Sequence, residues 1–228
     1  LLALHANLQA DVVIATPTGL TAGQGFRIMV VTTGTTVATS TDINYYNTFV
    51  ANDIATNIGA YRYGGNAVSF KAWGTTATVS AISNIGWVEA DQVGVYRADG
   101  TRIATSANFL TANHETGVTS VGTSLVVFTG SASNGTNSGD NVLGTTRFDF
   151  EVMGGTSDAF NGGSWTQNIS PLSNTPNYMY AISDVITVPE PGTYLLGALS
   201  TSVLAGMMFF RWRRDQRKRL SLAMATAD

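Results

Sequence analysis

Two histidines, His5 and His114, and no cysteine set the limits of the chemistry this chain can do. A nucleophilic triad needs an imidazole beside a hydroxyl, oriented by an acid. His114, in "NHET", is the only imidazole outside the first ten residues, and no G-x-S-x-G elbow is present to offer it a serine. It is expected to be a surface-loop histidine. Zinc needs three or four N, S or O ligands, so one histidine without cysteine falls short, and no metal or cofactor is expected. Thiol chemistry and disulfides are excluded outright.

Carboxylates pair along the chain at Glu89 and Asp91 and again at Asp149 and Glu151. Glycosidases place their two carboxylates on separate elements across a cleft, so pairs this close are expected on solvated strand faces. "NGTNSGDN", Asn134 to Asn141, carries oxygen ligands at alternating positions, as some calcium loops do, but the same residues favour turns. Trp73, Trp87 and Trp165, with Tyr45, Tyr61, Tyr63 and Tyr96, could form a platform on which sugars stack; such rings also fill cores. Gly23 and Gly25 in "AGQG" lack the Gly-Lys-Ser/Thr ending of a phosphate loop.

The elements that must hold these residues are short. "FRIMVVT", Phe26 to Thr32, reads as a central strand. Ile43, Tyr46, Val50, Ile54 and Ile58 then recur at helical spacings of three and four. Ser40 or Thr41 can cap that helix, Asp42 suits its first turn and Gly59 can end it. Further strands are expected at Ala67 to Trp73, Thr76 to Ile82, within "SLVVFTG", in the alternating "RFDFEV", and in the closing "YMYAIS" and "DVITV". "VGVYRADGTRIAT", Val93 to Thr105, reads as a hairpin turning at Asp99-Gly100. The reading is α+β, with one main helix and several short, mostly antiparallel strands; the alternative is an all-β sandwich.

Charge is scarce and unevenly placed. Charged residues make up 12% of the chain against about 25% in an average soluble domain, and 24 glycines help fill the gap. Residues 1–210 hold six basic and thirteen acidic side chains, net −7, whereas 211–228 hold six and two, net +4. An acidic body repels phosphate backbones, so nucleic-acid binding is not expected.

The basic end follows an apolar one. Gly192 to Phe210 is a run of nineteen uncharged residues, which as a helix would span about 28 Å, the thickness of a bilayer's hydrocarbon core. Arg211, Arg213, Arg214, Arg217, Lys218 and Arg219 come next, and clustered Lys/Arg beside a span stay cytoplasmic. The body would then lie outside. Pro189 and Pro191 fix φ and remove two backbone donors, stopping both the preceding strand and any upstream extension of the helix. At the other end "LLALHANLQA", residues 1–10, reads as the remnant of a secretory signal peptide, with a plain N-terminal strand as the alternative.

"VPEP" (Val188, Pro189, Glu190, Pro191), an apolar span and an Arg-rich end, in that order, resemble the PEP-CTERM sorting signal, with "LSLAMATAD" extending beyond the usual end. The resemblance implies an exosortase as partner, a transient stay in the inner membrane, then the cell surface or extracellular matrix, with extracellular polysaccharide as a further partner. It divides the chain into a body at 11–187, the motif at 188–191, a transmembrane helix at 192–210 and a basic tail at 211–228. A first strand, a helix from Thr41, "FKAW", "VYRADGTRIA", "VVFTGSASNGTNSGDN", "GSW" at Trp165 and "YMYAIS" resemble, in their order, the endostatin-like branch of the C-type-lectin-like fold. The calcium-binding and sugar-binding triplets of true lectins are absent, so that activity is not implied. The expectation is a non-enzymatic surface or matrix protein; the alternatives are a carbohydrate-binding module using Trp73, Trp87 and Trp165, and a secreted hydrolase.

Overall fold

The computed structural model describes residues 10–88, 93–111, 114–119, 124–145, 151–158 and 165–190. The chain divides into two compact units after Val188. Of the second, Pro189 and Glu190 are described; Pro191, the expected span at 192–210 and the basic cluster from Arg211 to Arg219 lie outside the described residues, as does the expected signal-peptide remnant up to residue 9. Among the described residues no helix is long and apolar enough to cross a membrane.

The first unit is α+β. Its elements in chain order are β1 (Val12–Val13), β2 (Gly25–Val31), α1 (Ile43–Asp53) continued by a π-helical turn (Ile54–Ile58), β3 (Tyr61–Tyr63), β4 (Asn66–Ala67), β5 (Phe70–Ala72), α2 (Ala81–Asn84), β6 (Gly94–Tyr96), β7 (Arg102–Ala104), α3 (Ser106–Phe109), β8 (Val126–Phe128), β9 (Gly154–Thr156), β10 (Tyr178–Ser183) and β11 (Ile186–Thr187). The main sheet runs β7-β6-β2-β10-β8-β9, with β5 also paired to β10 and β11 to β2; β1, β3 and β4 form a smaller sheet. Most pairings are antiparallel, whereas β1–β3, β2–β6 and β8–β10 are parallel. The helix and the parallel pairings set the body apart from an all-β sandwich.

The two central strands are mostly apolar, with the buried Arg27 and Ser183 as exceptions, because both faces of the sheet are covered. Side chains alternate sides along a strand. Phe26 and Ile28 of β2 and Met179 and Ala181 of β10 join one core cluster with Ile43, Tyr46, Val50 and Ile54 of the main helix. Their neighbours Met29, Tyr180 and Ile182 join the other cluster, with Trp73, Ile85, Phe109 and Trp165. One sheet thus separates two cores.

The helix forms where its apolar spacing places it. Its N-cap is Asp42, whose side chain accepts from Asn44 N at 2.9 Å, one or two residues later than the expected Thr41 or Ser40. Gly59 ends it at φ +95°, its N–H reaching back to Ile54 O at 3.0 Å. The expected hairpin is present: β6 and β7 pair antiparallel, Arg97 N donates to Thr101 O at 2.8 Å, and Gly100 takes φ +86°.

The expected strand from Thr76 to Ile82 is not formed. Thr76 makes one bridge to Leu143, after which Ser80 caps the short helix α2, its side chain accepting from Ser83 N. β9 was not expected. It forms by pairing antiparallel with β8, and a side chain at Gly155 would overlap the Trp165 carbonyl, so only glycine lets those two backbones approach. Of "RFDFEV", Glu151 is exposed and Val152 buried; the residues before them lie outside the described set.

Candidate functional site

The three tryptophans do come together around Phe109, two of them inside the protein. Trp73 and Trp165 are fully buried, 5.4 Å apart at their ring centroids. Phe109 lies 5.0 Å from Trp73 and stacks on Trp87 at 4.8 Å, while Tyr180 lies 5.9 Å from Trp165. A fully buried ring has no face to offer a sugar, so Trp73 and Trp165 take the core reading rather than that of a sugar platform. Trp87, half-buried, instead receives the Arg27 guanidinium 5.8 Å from its ring centroid. Arg27 is itself buried, donating to the carbonyls of Ile85, Ser183 and Gly86 at 2.8–3.1 Å.

His114 belongs to this cluster, which corrects the surface-loop expectation. It is 4% exposed, stacked on Phe109 with planes 8° apart and set 4.4 Å from Trp165. Its Nε2 lies 3.1 Å from the Phe109 carbonyl. A carbonyl can only accept, so the neutral ring carries its proton on Nε2 and Nδ1 is bare. Nδ1 has no hydrogen-bond partner, nor do the buried Nε1 atoms of Trp73, Trp87 and Trp165. Burial lowers the His114 pKa to about 4, the bond to Phe109 opposing it only in part. The ring is therefore neutral at pH 7, and among the described residues neither of its nitrogens bonds the hydroxyl or the orienting acid that a triad requires.

Glu89, Asp91 and Asp149 lie outside the described residues, and Glu151 bridges Leu172 at an exposed position. In the Asn134–Asn141 loop, Asn134 Oδ1 accepts from Thr136 N and Oγ1, and Asn137 Oδ1 accepts from Gly139 N. These oxygens build turns of their own backbone. Among the described residues no group of three or more His, Asp or Glu could hold a metal ion.

A carboxylate that sequence reasoning missed is Asp53. It is 5% exposed at the end of α1 and accepts from Thr33 N and Gly34 N, both at 2.8 Å, and from Asn57 Nδ2 at 2.6 Å. It ties the helix to the loop after β2. A Cβ on Gly34 would come within 2.6 Å of its Oδ1.

The body's C-terminus is tied down by the same local logic. β11 pairs antiparallel with the start of β2, Ile186 opposite Phe26 and Thr187 opposite Gly25. Val188 extends that ladder: its N–H donates to Gln24 O and its carbonyl accepts from Gly23 N, both at 2.9 Å. The receiving turn is "TAGQG", which the sequence reading rejected only as a phosphate loop. Gln24 N donates to Thr21 O at 3.1 Å, Gln24 Oε1 accepts from Thr21 N at 2.7 Å, and Gly23 takes φ +82°. Val188 is buried, Pro189 half-buried and Glu190 exposed. The next residue in the ladder would be Pro189, which has no N–H to donate.

Comparison with curated proteins gives no match to the chain. The likeness of the body to the endostatin-like lectins finds no support among the comparisons. A family model does match at the C-terminal end, over residues 187–214, which takes in the last residue of β11, Val188 and all of the expected apolar span. Residues 187–214 therefore carry a PEP-CTERM protein-sorting motif, and the processing enzyme that such a motif implies is an exosortase.

Proposed function

We propose that the chain is an exported, non-enzymatic surface or extracellular-matrix protein, delivered through its C-terminal signal. The observation that carries this reading is the sorting motif at 187–214, beginning where the folded body ends. In this reading residues 192–210 hold the protein transiently in the inner membrane, Arg211, Arg213, Arg214, Arg217, Lys218 and Arg219 keep the tail cytoplasmic, and exosortase releases the body to the surface or to extracellular polysaccharide. The body's low charge and Thr, Ser, Asn and Gly richness suit a protein that works outside the cell. A lectin-like topology for the body is supported by the order of its sequence landmarks. The test is the intact mass of the mature protein from an exosortase-bearing cell. Removing Glu190 and Pro191 together should leave the full-length form in the membrane, and normal processing of that variant would refute the sorting reading.

A further inference from the structure

The matched motif begins at residue 187, yet Thr187 and Val188 are part of the sheet. Thr187 pairs with Gly25, and Val188 exchanges two backbone bonds with Gly23 and Gln24 while 91% of its surface is buried. A protease binds its substrate as an extended, unpaired chain, because substrate backbone groups must be free to bond to the enzyme. Residues already bonded to β2 are not free in that sense. Pro189 cannot continue the ladder, and Glu190 is the first exposed residue beyond it.

We infer that the matched segment has two parts with different roles: Thr187 and Val188 are structural residues of the body, held by the Thr21–Gly25 turn, and recognition begins at Pro189. The turn is thus a positioning element that fixes where the signal leaves the fold. The chain is cut beyond Val188, at a bond whose carbonyl is not already held by the sheet as that of Val188 is by Gly23 N. There the peptide C–N bond breaks, the acyl carbon passes to water or to an acceptor amine, and the departing amine takes up a proton. This inference rests on the sorting reading above, and the two can fail separately.

The test uses the full chain in an exosortase-bearing cell, as wild type, Val188→Ala, Val188→Thr and Glu190→Ala, read by intact mass and by backbone amide exchange on the purified, detergent-solubilised protein. The wild-type mature form should extend past Val188. Val188→Ala should be processed to within twofold of wild type, although the amides of β11 and residue 188 exchange at least tenfold faster. Val188→Thr, which keeps the side-chain shape, should match wild type in processing, and Glu190→Ala should remain full length. A mature terminus ending at or before Val188 overturns the inference. So does a folded Val188→Ala or Val188→Thr chain left as unprocessed as Glu190→Ala. An unprocessed wild type, or a normally processed Glu190→Ala, refutes the sorting reading itself and takes this inference with it.

Discussion

At the scale of single residues, His114 turns burial into a dependence on pH. Its pKa falls from the ordinary 6.5 to about 4 because the ring is enclosed by Phe109 and Trp165. Above pH 6.5 the ring is neutral in the folded and unfolded chain alike and contributes no slope. Below that, the unfolded chain takes up a proton that the folded one refuses, so stability declines as pH falls, by about 1.4 kcal/mol per unit, until the folded ring titrates near pH 4. The total loss is about 3 kcal/mol. Urea unfolding of wild type and His114→Phe at pH 7 and pH 4.5 should show it: carboxylates affect both proteins, but the wild type should lose more stability on acidification by nearly that amount. Equal losses would mean that the ring is charged in the fold. The sequence marked His114 as the one imidazole to watch but not as a core residue, because the rings that bury it come from segments up to fifty residues away.

At the scale of elements, what could be read depended on period and on local chemistry. The main helix, β2, the β6–β7 hairpin and β10 were legible because each carries its own signal: a spacing of three and four, a β-branched run, an Asp-Gly turn. The segment Thr76 to Ile82 has strand composition, yet Ser80 can bond to the backbone three residues ahead, and that local cap outweighs a propensity with no neighbouring strand to satisfy it. β1, β3 and β4 are two or three residues long, too short to show any period. The cap of the main helix gives a direct test. Asp42 is exposed, so Asp42→Ala removes the bond to Asn44 N and little else, and should cost about 1 kcal/mol in chemical denaturation. Asp42→Asn should recover most of it. The sorting signal was the most legible feature of all, since proline placement, apolar length and clustered arginines act locally; the turn that receives Val188 was hidden because it lies more than 160 residues upstream of its partner.

For the whole molecule, the division after Val188 states which residues the fold needs. A chain ended at Glu190 should unfold in one cooperative transition. A chain ended at Asp184 loses β11 and Val188, and with them the buried side chains of Ile186 and Val188. At roughly 1.5–3 kcal/mol for each large aliphatic side chain removed from the core, the deficit should be on the order of 3–6 kcal/mol. Comparing the two by thermal and urea denaturation checks this; equal stability would show that β11 is dispensable. The acidic body, net −7 before Arg211, and the basic tail are likewise separable, so the isolated body should show no affinity for nucleic acid at any ionic strength.

β10, the strand that touches β2, β5 and β8, is nearly the last part of the body to be made. Its partners begin at residues 25, 70 and 126, so the sheet cannot close around its centre until about residue 183 has left the ribosome. Before then the nascent polypeptide has two half-built cores and no middle. A chain in that condition has not yet closed its sheet, so folding of the whole body waits on one of its last strands.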